Sequence, residues 1–168
     1  MEARLGWVVA RSLVLAFALV VAGCAPDPTD RRSLSPDEIP PALLGRPLTI
    51  AEIGELELRV AVADTPAARS RGLMGVDAFG GVEGMVFVYD APADTSFYMK
   101  NVLVPLDIAF VGADGVVLGV LSMALCTADP CPTYPSPAPF MWAIETPAGD
   151  LSEIAAGDRF VLRPWGVG

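Results

Sequence analysis

Short apolar runs separated by glycine and proline restrict this chain of 168 residues to a fold built mainly from β-strands. The segment Glu55–Val62 alternates between polar and apolar side chains, which is typical of a strand with one buried face. We expect it to pair with Leu48–Ile53 in a hairpin that turns at Gly54. Further runs of strand length lie at Gly84–Asp90, Val116–Met123, Phe140–Thr146 and Arg159–Arg163. The sequence therefore predicts one compact, mainly β domain, a sandwich or a barrel, with one or two short helices.

Helix signals interrupt the predicted strands. The clearest lies between residues 64 and 75, where Asp64 or Thr65 suits the N-terminal cap and Gly72 or Gly75 suits the end. Shorter helical segments are predicted at Ser35–Ile39 and Pro147–Ile154.

The first 23 residues are typical of an export signal. Arg4 and Arg11 precede an apolar run, Leu13–Ala22, which is too short for a comfortable membrane span. The following segment, Val21–Cys24, resembles the lipobox of bacterial lipoproteins, in which the cysteine is acylated after cleavage of the signal. We expect Cys24 to carry a lipid that anchors the protein on the extracytoplasmic side of the bacterial cell envelope. A plain signal peptide or an uncleaved anchor is the alternative.

Proline and acidic residues dominate the next segment, residues 24–47. Proline fixes φ and removes backbone donors, and the low apolar content cannot offset the entropy lost on ordering. The composition predicts a semi-extended tether, followed by the folded domain over residues 48–168.

Charge and composition exclude several functions. The chain has 20 acidic and 11 basic residues, a net charge of -9, which disfavours binding to nucleic acid. It contains no histidine, so it has no imidazole for a catalytic triad or for a usual zinc site. We therefore expect no metal and no cofactor.

Polar residues stand out within the apolar stretch Ser96–Val111. These residues are Lys100, Asn101 and Asp107, and burying such groups is costly unless they are paired. In one interpretation, Asp107 secures a neighbouring turn or pairs with Lys100. In the other, the three residues lie at the mouth of a ligand pocket.

Further candidate ligand-binding residues lie outside this stretch. Glu145 is a single acid among apolar neighbours, and with Asp107 it would form a carboxylate pair suited to hydrolysis. Arg71 would bind an anion or form an ion pair with either acid. Tyr134 begins a proline-rich loop that forms either a pocket wall or a stiff connection. Met99 would be a soft ligand or, more simply, part of the core.

Cys126 and Cys131 remain as an even pair once Cys24 is assigned to the lipid. In an oxidising compartment such a pair forms a disulfide by default. A redox-active pair, free thiols or metal ligation are the alternatives, although the spacing is not CxxC.

Four segments occur in an order that resembles the domain of unknown function 192 family of small bacterial and archaeal proteins. These segments are Arg71–Gly75, Gly84–Val88, Ser96–Asn101 and Pro105–Phe110. The likeness continues to the C-terminus, with two departures: Tyr98 stands where the family usually has tryptophan, and Val102 where it usually has threonine. The resemblance implies a compact, mostly β fold and assigns no activity.

These observations favour a lipid-anchored domain of the cell envelope that binds a small molecule or a protein partner. The residues expected to contact the ligand are Arg71, Met99, Lys100, Asn101, Asp107, Tyr134 and Glu145. A hydrolase-like enzyme using Asp107 and Glu145 and a purely structural envelope module are the alternatives.

Overall fold

A computed structural model describes residues 34–165 and shows nine strands and one α-helix in that range. The expected signal segment and Cys24 lie outside the described residues. The strands are β1 Leu48–Ile53, β2 Leu56–Ala63, β3 Gly84–Ala93, β4 Ser96–Tyr98, β5 Leu106–Val111, β6 Val117–Met123, β7 Thr133–Pro135, β8 Phe140–Pro147 and β9 Phe160–Pro164. Seven of them form a curled half-barrel sheet in the order β6-β5-β8-β3-β2-β1-β9, and β4 pairs with β7 in a second small sheet. The prediction of a mainly β domain is confirmed.

The one α-helix among the described residues, α1, Pro66–Arg71, lies in the connection between β2 and β3. Strands β2 and β3 are parallel, whereas the other strand pairs are antiparallel, so the chain must cross over between β2 and β3. The Thr65 side chain caps the crossover helix by accepting a hydrogen bond from the Ala68 amide. Gly72, with φ of 47°, ends the helix. The predicted helix is thereby confirmed, with Thr65 and Gly72 as its limits.

The two edge strands of the curled sheet, β6 and β9, meet at one end. The Val117 amide donates to the Asp158 carbonyl at 2.9 Å, and the Phe160 amide donates to the Gly115 carbonyl at 2.9 Å. These bonds join the start of β6 to the start of β9, so this end of the half-barrel is closed.

Apolar side chains pack against both faces of the sheet. One core cluster includes Met85, Phe87, Ile108 and Phe110, and the other includes Val86, Ala109 and Ile144. All six residues of β5 are buried, as expected for a strand covered on both sides. Successive residues of a strand face opposite ways, so each cluster belongs to one face. We call these faces the Phe87 face and the Val86 face.

The folded region begins before the predicted boundary at Leu48. Leu43 is fully buried within the cluster on the Phe87 face, and two 3₁₀ turns, Pro36–Glu38 and Pro41–Leu43, precede β1. The predicted helical turn at Ser35–Ile39 is confirmed, with Ser35 as its cap. The difference at the boundary arises because Leu43 contributes apolar area to the core despite its proline-rich context.

The helix predicted at Pro147–Ile154 is wrong. This segment forms successive turns, with amide-to-carbonyl bonds from Asp150 to Pro147 and from Ile154 to Leu151. Gly149 has φ of 101°, a conformation that interrupts a right-handed helix. Within residues 34–165 no helix is long and apolar enough to cross a membrane.

Candidate functional site

A pocket of about 520 Å³ lies where α1 crosses the Phe87 face. Its walls come from α1 and the residues just after it, from β3, and from the segment 93–98 that contains β4. The lining residues with functional groups or large rings include Arg69, Arg71, Tyr89, Phe97, Tyr98 and Glu145. The pocket therefore lies between the crossover helix and the Phe87 face of the sheet. Without the helix held above it, core side chains would cover this part of the face.

Glu145 of β8 is the most unusual group in this pocket. In the sheet it lies directly between Met85 of β3 and Ile108 of β5, so its side chain shares the Phe87 face with them. It is 5% exposed, and burial raises its pKa from the usual 4.5 to about 8. Among residues 34–165, no donor forms a hydrogen bond with its carboxyl group. A buried carboxyl without a protein partner, lining a pocket, is suited to a hydrogen bond or ion pair with a ligand.

Arg69 is a fixed part of the wall. Its Nη1 atom donates to the backbone carbonyls of Asp64 and Val88, both at 2.7 Å. Its guanidinium lies 4.6 Å from the centre of the Tyr89 ring, a cation–π contact. Burial raises the pKa of the Tyr89 hydroxyl; the charge of Arg69 opposes that change and the charge of Glu145 adds to it. These contacts hold α1 against the end of β3.

Arg71, two residues later, differs from Arg69 because it is exposed and lacks such contacts. Within the described part of the chain, it forms no ion pair with a carboxylate, so the expected pairing with Asp107 or Glu145 is not formed. Burial of the nearby Arg46 is the main cause that lowers the pKa of that residue, and the positive charge of Arg71 lowers it further. The guanidinium of Arg71 is therefore available to an anionic group in the pocket.

Aromatic rings form the apolar part of the wall. Phe87 and Phe97 meet edge to face with their centroids 5.0 Å apart, and Phe97 continues to Phe110 at 5.7 Å. Such pairs contribute about 0.5–1.5 kcal/mol each beyond their area burial. Tyr98 and Val102, the two departures noted in the sequence, both line the pocket. This chain therefore differs from the pattern of the family that it resembles at the wall of the pocket.

Asp107 lies on the other face of the sheet. Its strand partner is Thr146, and its carboxylate accepts hydrogen bonds from the Ser122 hydroxyl and the Gly149 amide, both at 2.7 Å. Asp107 thus secures the turn after β8, as one of the two interpretations expected. Because it projects away from Glu145, the two carboxyl groups do not form the pair that hydrolysis would need.

The remaining predicted ligand-binding residues lie outside the pocket lining. Lys100 forms an ion pair with Asp129, with its Nζ atom 3.1 Å from Oδ2. Asn101 occupies a turn with φ of 59°, and Met99 is 1% exposed within the core. The Tyr134 hydroxyl accepts a hydrogen bond from the Ala124 amide at 3.1 Å. Of the seven predicted residues, the structure brings Arg71 and Glu145 together in one pocket.

Arg69, Tyr89, Phe87 and Phe97 line the pocket but were not selected from the sequence as site residues. Arg69 lies two positions before Arg71, within the predicted helix, where an arginine has no unusual local context. The aromatic residues looked like ordinary strand residues, and only the crossover places them beside a cavity.

Cys126 and Cys131 form a disulfide, which confirms that prediction. Their sulfur atoms and a carboxylate oxygen of Asp129 lie within 4.8 Å of one another. Disulfide sulfurs are not thiolates, so in this state the cluster lacks the ligands that a soft metal requires. The bond closes the loop between β6 and β7.

A model of the DUF192 family, described as "Uncharacterized ACR, COG1430", matches residues 49–162. Two solved structures share the fold with a TM-score of 0.64 each. One is a candidate transcription regulator from Sinorhizobium meliloti 1021, 23% identical, with 71% of this chain and 96% of that chain covered. The other is a protein of unknown function from Novosphingobium aromaticivorans DSM 12444, 25% identical, with 82% and 99% covered. No curated protein matches the sequence.

Proposed function

Because the chain belongs to the DUF192 family, whose description states no activity, we propose a function from its own site: it is a small-molecule-binding module of the bacterial cell envelope. The ligand occupies the pocket beside α1, and Cys24 holds the protein at the membrane through a lipid. The domain binds its ligand without catalysis.

The observation that carries this proposal is the carboxyl group of Glu145. No donor among residues 34–165 bonds to its oxygens, which open onto the pocket, where water or a ligand can donate to them. Here the group lines a cavity of about 520 Å³, which lies in the usual range for small-molecule sites. A ligand with a hydrogen-bond donor would take the place of water at this carboxyl group.

The same geometry weighs against the two alternatives. A hydrolase needs two cooperating carboxyl groups, whereas Asp107 and Glu145 project from opposite faces of the sheet. A purely structural module has no need of a pocket onto which an unpaired carboxyl group opens, as that of Glu145 does among the described residues.

The membrane anchor rests on the sequence alone. The apolar run Leu13–Ala22 followed by Gly23-Cys24 fits an acylated and cleaved lipoprotein signal. A Cys24→Ala variant should leave the membrane fraction and lose the mass of the lipid. If the variant stays in the membrane like the wild-type protein, the lipid is not the anchor.

Ligand binding is tested by native mass spectrometry of the exported protein purified from a bacterial host. We expect extra mass under native conditions that disappears on denaturation, and a rise in the unfolding temperature when the extracted molecule is added back. The Glu145→Gln variant should lose the extra mass, whereas Glu153→Gln, an exposed glutamate remote from the pocket lining, should keep it. A bare wild-type protein that no member of a metabolite library stabilises would contradict the binding function.

A further inference from the structure

We infer that the pocket beside α1 takes a small zwitterion, whose ammonium group binds the carboxylate of Glu145 and whose anionic group binds the guanidinium of Arg71. This inference rests on the proposed binding function and specifies the chemical class of the ligand.

Two groups capable of opposite charge line this one pocket without pairing to each other. Glu145 is on the sheet and 5% exposed, and Arg71 is at the end of α1 and exposed to solvent. Neither forms an ion pair with another of the residues 34–165. Each is therefore available to pair with an oppositely charged group of a ligand, Glu145 after it loses its proton.

An ammonium group suits Glu145 because it supplies donors that the surrounding protein does not. Met85 and Ile108, its neighbours in the sheet, are apolar, so no side chain beside it in the ladder can donate a hydrogen bond. Because Glu145 is only 5% exposed, its carboxylate attracts a neighbouring positive charge more strongly than a carboxylate at the surface would. A neutral donor would gain only part of this interaction.

The two arginines of the pocket indicate that the ligand also carries a negative charge. Arg69 and Arg71 both line the pocket, and Asp94 is the other acid besides Glu145 among its described lining residues. A simple amine would meet two positive charges on its way to Glu145. A simple anion would bind Arg71 and leave Glu145 without a partner. A molecule that carries both charges pairs both groups, and an arginine fork matches a carboxylate or phosphate with two parallel hydrogen bonds.

The part of the ligand between its charges is apolar. Leu73, Phe87, Phe97 and Val102 line the same cavity. An alkyl chain or a ring would cover these side chains and bury apolar area at about 25 cal/mol per Å².

Binding of this ligand releases a proton. Burial raises the pKa of Glu145 to about 8, so in the free protein at pH 7 the carboxyl group is mostly protonated. The ammonium ion binds the ionised form, and the proton of the carboxyl group passes to the solvent. The net reaction converts a carboxylic acid and a free ammonium ion into an ion pair and a hydrated proton. The affinity should therefore rise with pH, by up to about tenfold per unit, until the pH passes the pKa of Glu145.

Other titratable and charged groups line the same pocket as Glu145 and come from several elements. They are Tyr89 from β3, Arg69 and Arg71 from α1, Asp94 before β4, and Tyr98 in β4, whereas β5 presents Ile108. The arginines keep their charge across the range from pH 6 to 8, and burial raises the pKa of Tyr89 further above this range. The proton released in this range therefore reports on Glu145.

The test is isothermal titration calorimetry of the protein with ω-amino acids that differ in length. The probes are glycine, 4-aminobutanoate, 6-aminohexanoate and 8-aminooctanoate, with hexanoate and hexylamine as the matched molecules of single charge. We expect one amino acid to bind at least about tenfold more tightly than either control, a difference of about 1.4 kcal/mol. Titrations at pH 7 in two buffers of different ionisation enthalpy should show release of most of one proton.

Two variants assign the two ends of the ligand. Arg71→Gln should weaken the amino acid about tenfold and leave hexylamine unchanged. Glu145→Gln should weaken the amino acid, remove the proton release and leave hexanoate unchanged. Arg159→Gln, at an exposed position outside the pocket lining, is the control and should bind like the wild-type protein.

Each other outcome overturns the inference in a recognisable way. If hexanoate or hexylamine binds as tightly as every amino acid, the ligand is not a zwitterion, although the pocket still binds a small molecule. If no probe binds while native mass spectrometry shows a retained ligand of another class, the inference again fails and the proposed function stands. If no probe binds and no ligand is retained, both fail.

Discussion

Asp107 and Glu145 project from opposite faces of the same sheet, although their strands are neighbours. Ile108 lies directly opposite Glu145, and Asp107 lies directly opposite Thr146. On the Val86 face, the Asp107 carboxylate accepts two hydrogen bonds from the protein. On the Phe87 face, the Glu145 carboxyl lines a pocket and accepts none from the described residues. The first acid is structural, and the second is available to a ligand.

The burial of Glu145 predicts an unusual dependence of stability on pH. Its pKa is about 8 in the folded protein and near the usual 4.5 in the unfolded chain, so between these values the folded state binds the additional proton. This group therefore stabilises the fold fully below about pH 4.5, and its contribution falls by about 1.4 kcal/mol per pH unit up to about pH 8. Relative to wild type, Glu145→Gln should become progressively more stable across this window. Urea unfolding at pH 5, 6, 7 and 8 measures the difference.

The control for this measurement is Glu153→Gln, which removes an exposed carboxylate. Its difference from wild type should stay nearly constant over the same range. If the free energies of unfolding of Glu145→Gln and wild type change with pH in parallel, the fold does not raise the pKa of Glu145.

Removal of the Asp107 carboxylate should lower stability without affecting the pocket. Asp107→Ala leaves the Ser122 hydroxyl and the Gly149 amide without their acceptor, and hydrogen bonds to a charged group contribute about 1.5–3 kcal/mol each. We expect a loss of about 2–4 kcal/mol in the free energy of unfolding. Ser122→Ala, which removes one donor at an exposed position, should cost about 1 kcal/mol or less.

Ligand affinity distinguishes this structural role from a direct one. Under conditions where Asp107→Ala remains folded, its affinity for the retained molecule should equal that of wild type. A specific loss of affinity in the folded variant would place Asp107 in the binding site.

Most strands could be predicted from the sequence because their periodicity is local, whereas β7, Thr133–Pro135, begins within a segment expected to be a loop. The alternation in Glu55–Val62 and the glycine-flanked runs identify strands whose partners need not be known. Each helix limit could be narrowed to two candidates, because capping depends on neighbouring residues, and the structure selects Thr65 and Gly72. The turn at Gly149 was missed because its positive φ depends on the bond from its amide to Asp107, 42 positions away.

The site was only partly predictable because it depends on strand order. Glu145 and Arg71 were selected because a lone acid in an apolar strand and an arginine at a helix end are locally unusual. Lys100 was selected by the same reasoning, yet it pairs with Asp129 in the disulfide loop. The parallel pairing of β2 with β3 and the register of β8 determine which polar residues share a face with the pocket. Neither can be read from a short segment of the sequence.

The disulfide should stabilise the domain by a moderate amount. Cys126 and Cys131 are five positions apart, and closing so short a loop restricts the unfolded chain by about 2 kcal/mol in the chain-entropy model. Cys126→Ser with Cys131→Ser should lower the free energy of unfolding by about this amount, measured without reductant. The wild-type protein in reductant should approach the double variant. If reductant destabilises wild type and double variant equally, the bond contributes nothing measurable.

Gly84 of β3 lies very close to the backbone of β8 at Glu145. We therefore expect that replacement of this glycine by a larger residue destabilises the protein. A Cβ atom at this position would collide with the carbonyl oxygen of Glu145 and lie 3.1 Å from the Thr146 side chain. Relieving this contact requires β3 to move away from β8, which disrupts the ladder that positions Glu145. Gly84→Ala should therefore destabilise the protein by about 3 kcal/mol, measured by urea unfolding, and should weaken ligand binding in the fraction that folds.

Gly119 is the matched control, because it also lies within a strand. A Cβ atom there meets only Pro137 at 3.5 Å, an ordinary contact, and its φ is not in the left-handed region. Gly119→Ala should leave stability unchanged or raise it by up to about 1 kcal/mol, since alanine loses less backbone entropy on folding. If Gly84→Ala and Gly119→Ala change the free energy of unfolding equally, the close approach of β3 to β8 does not require a glycine at position 84.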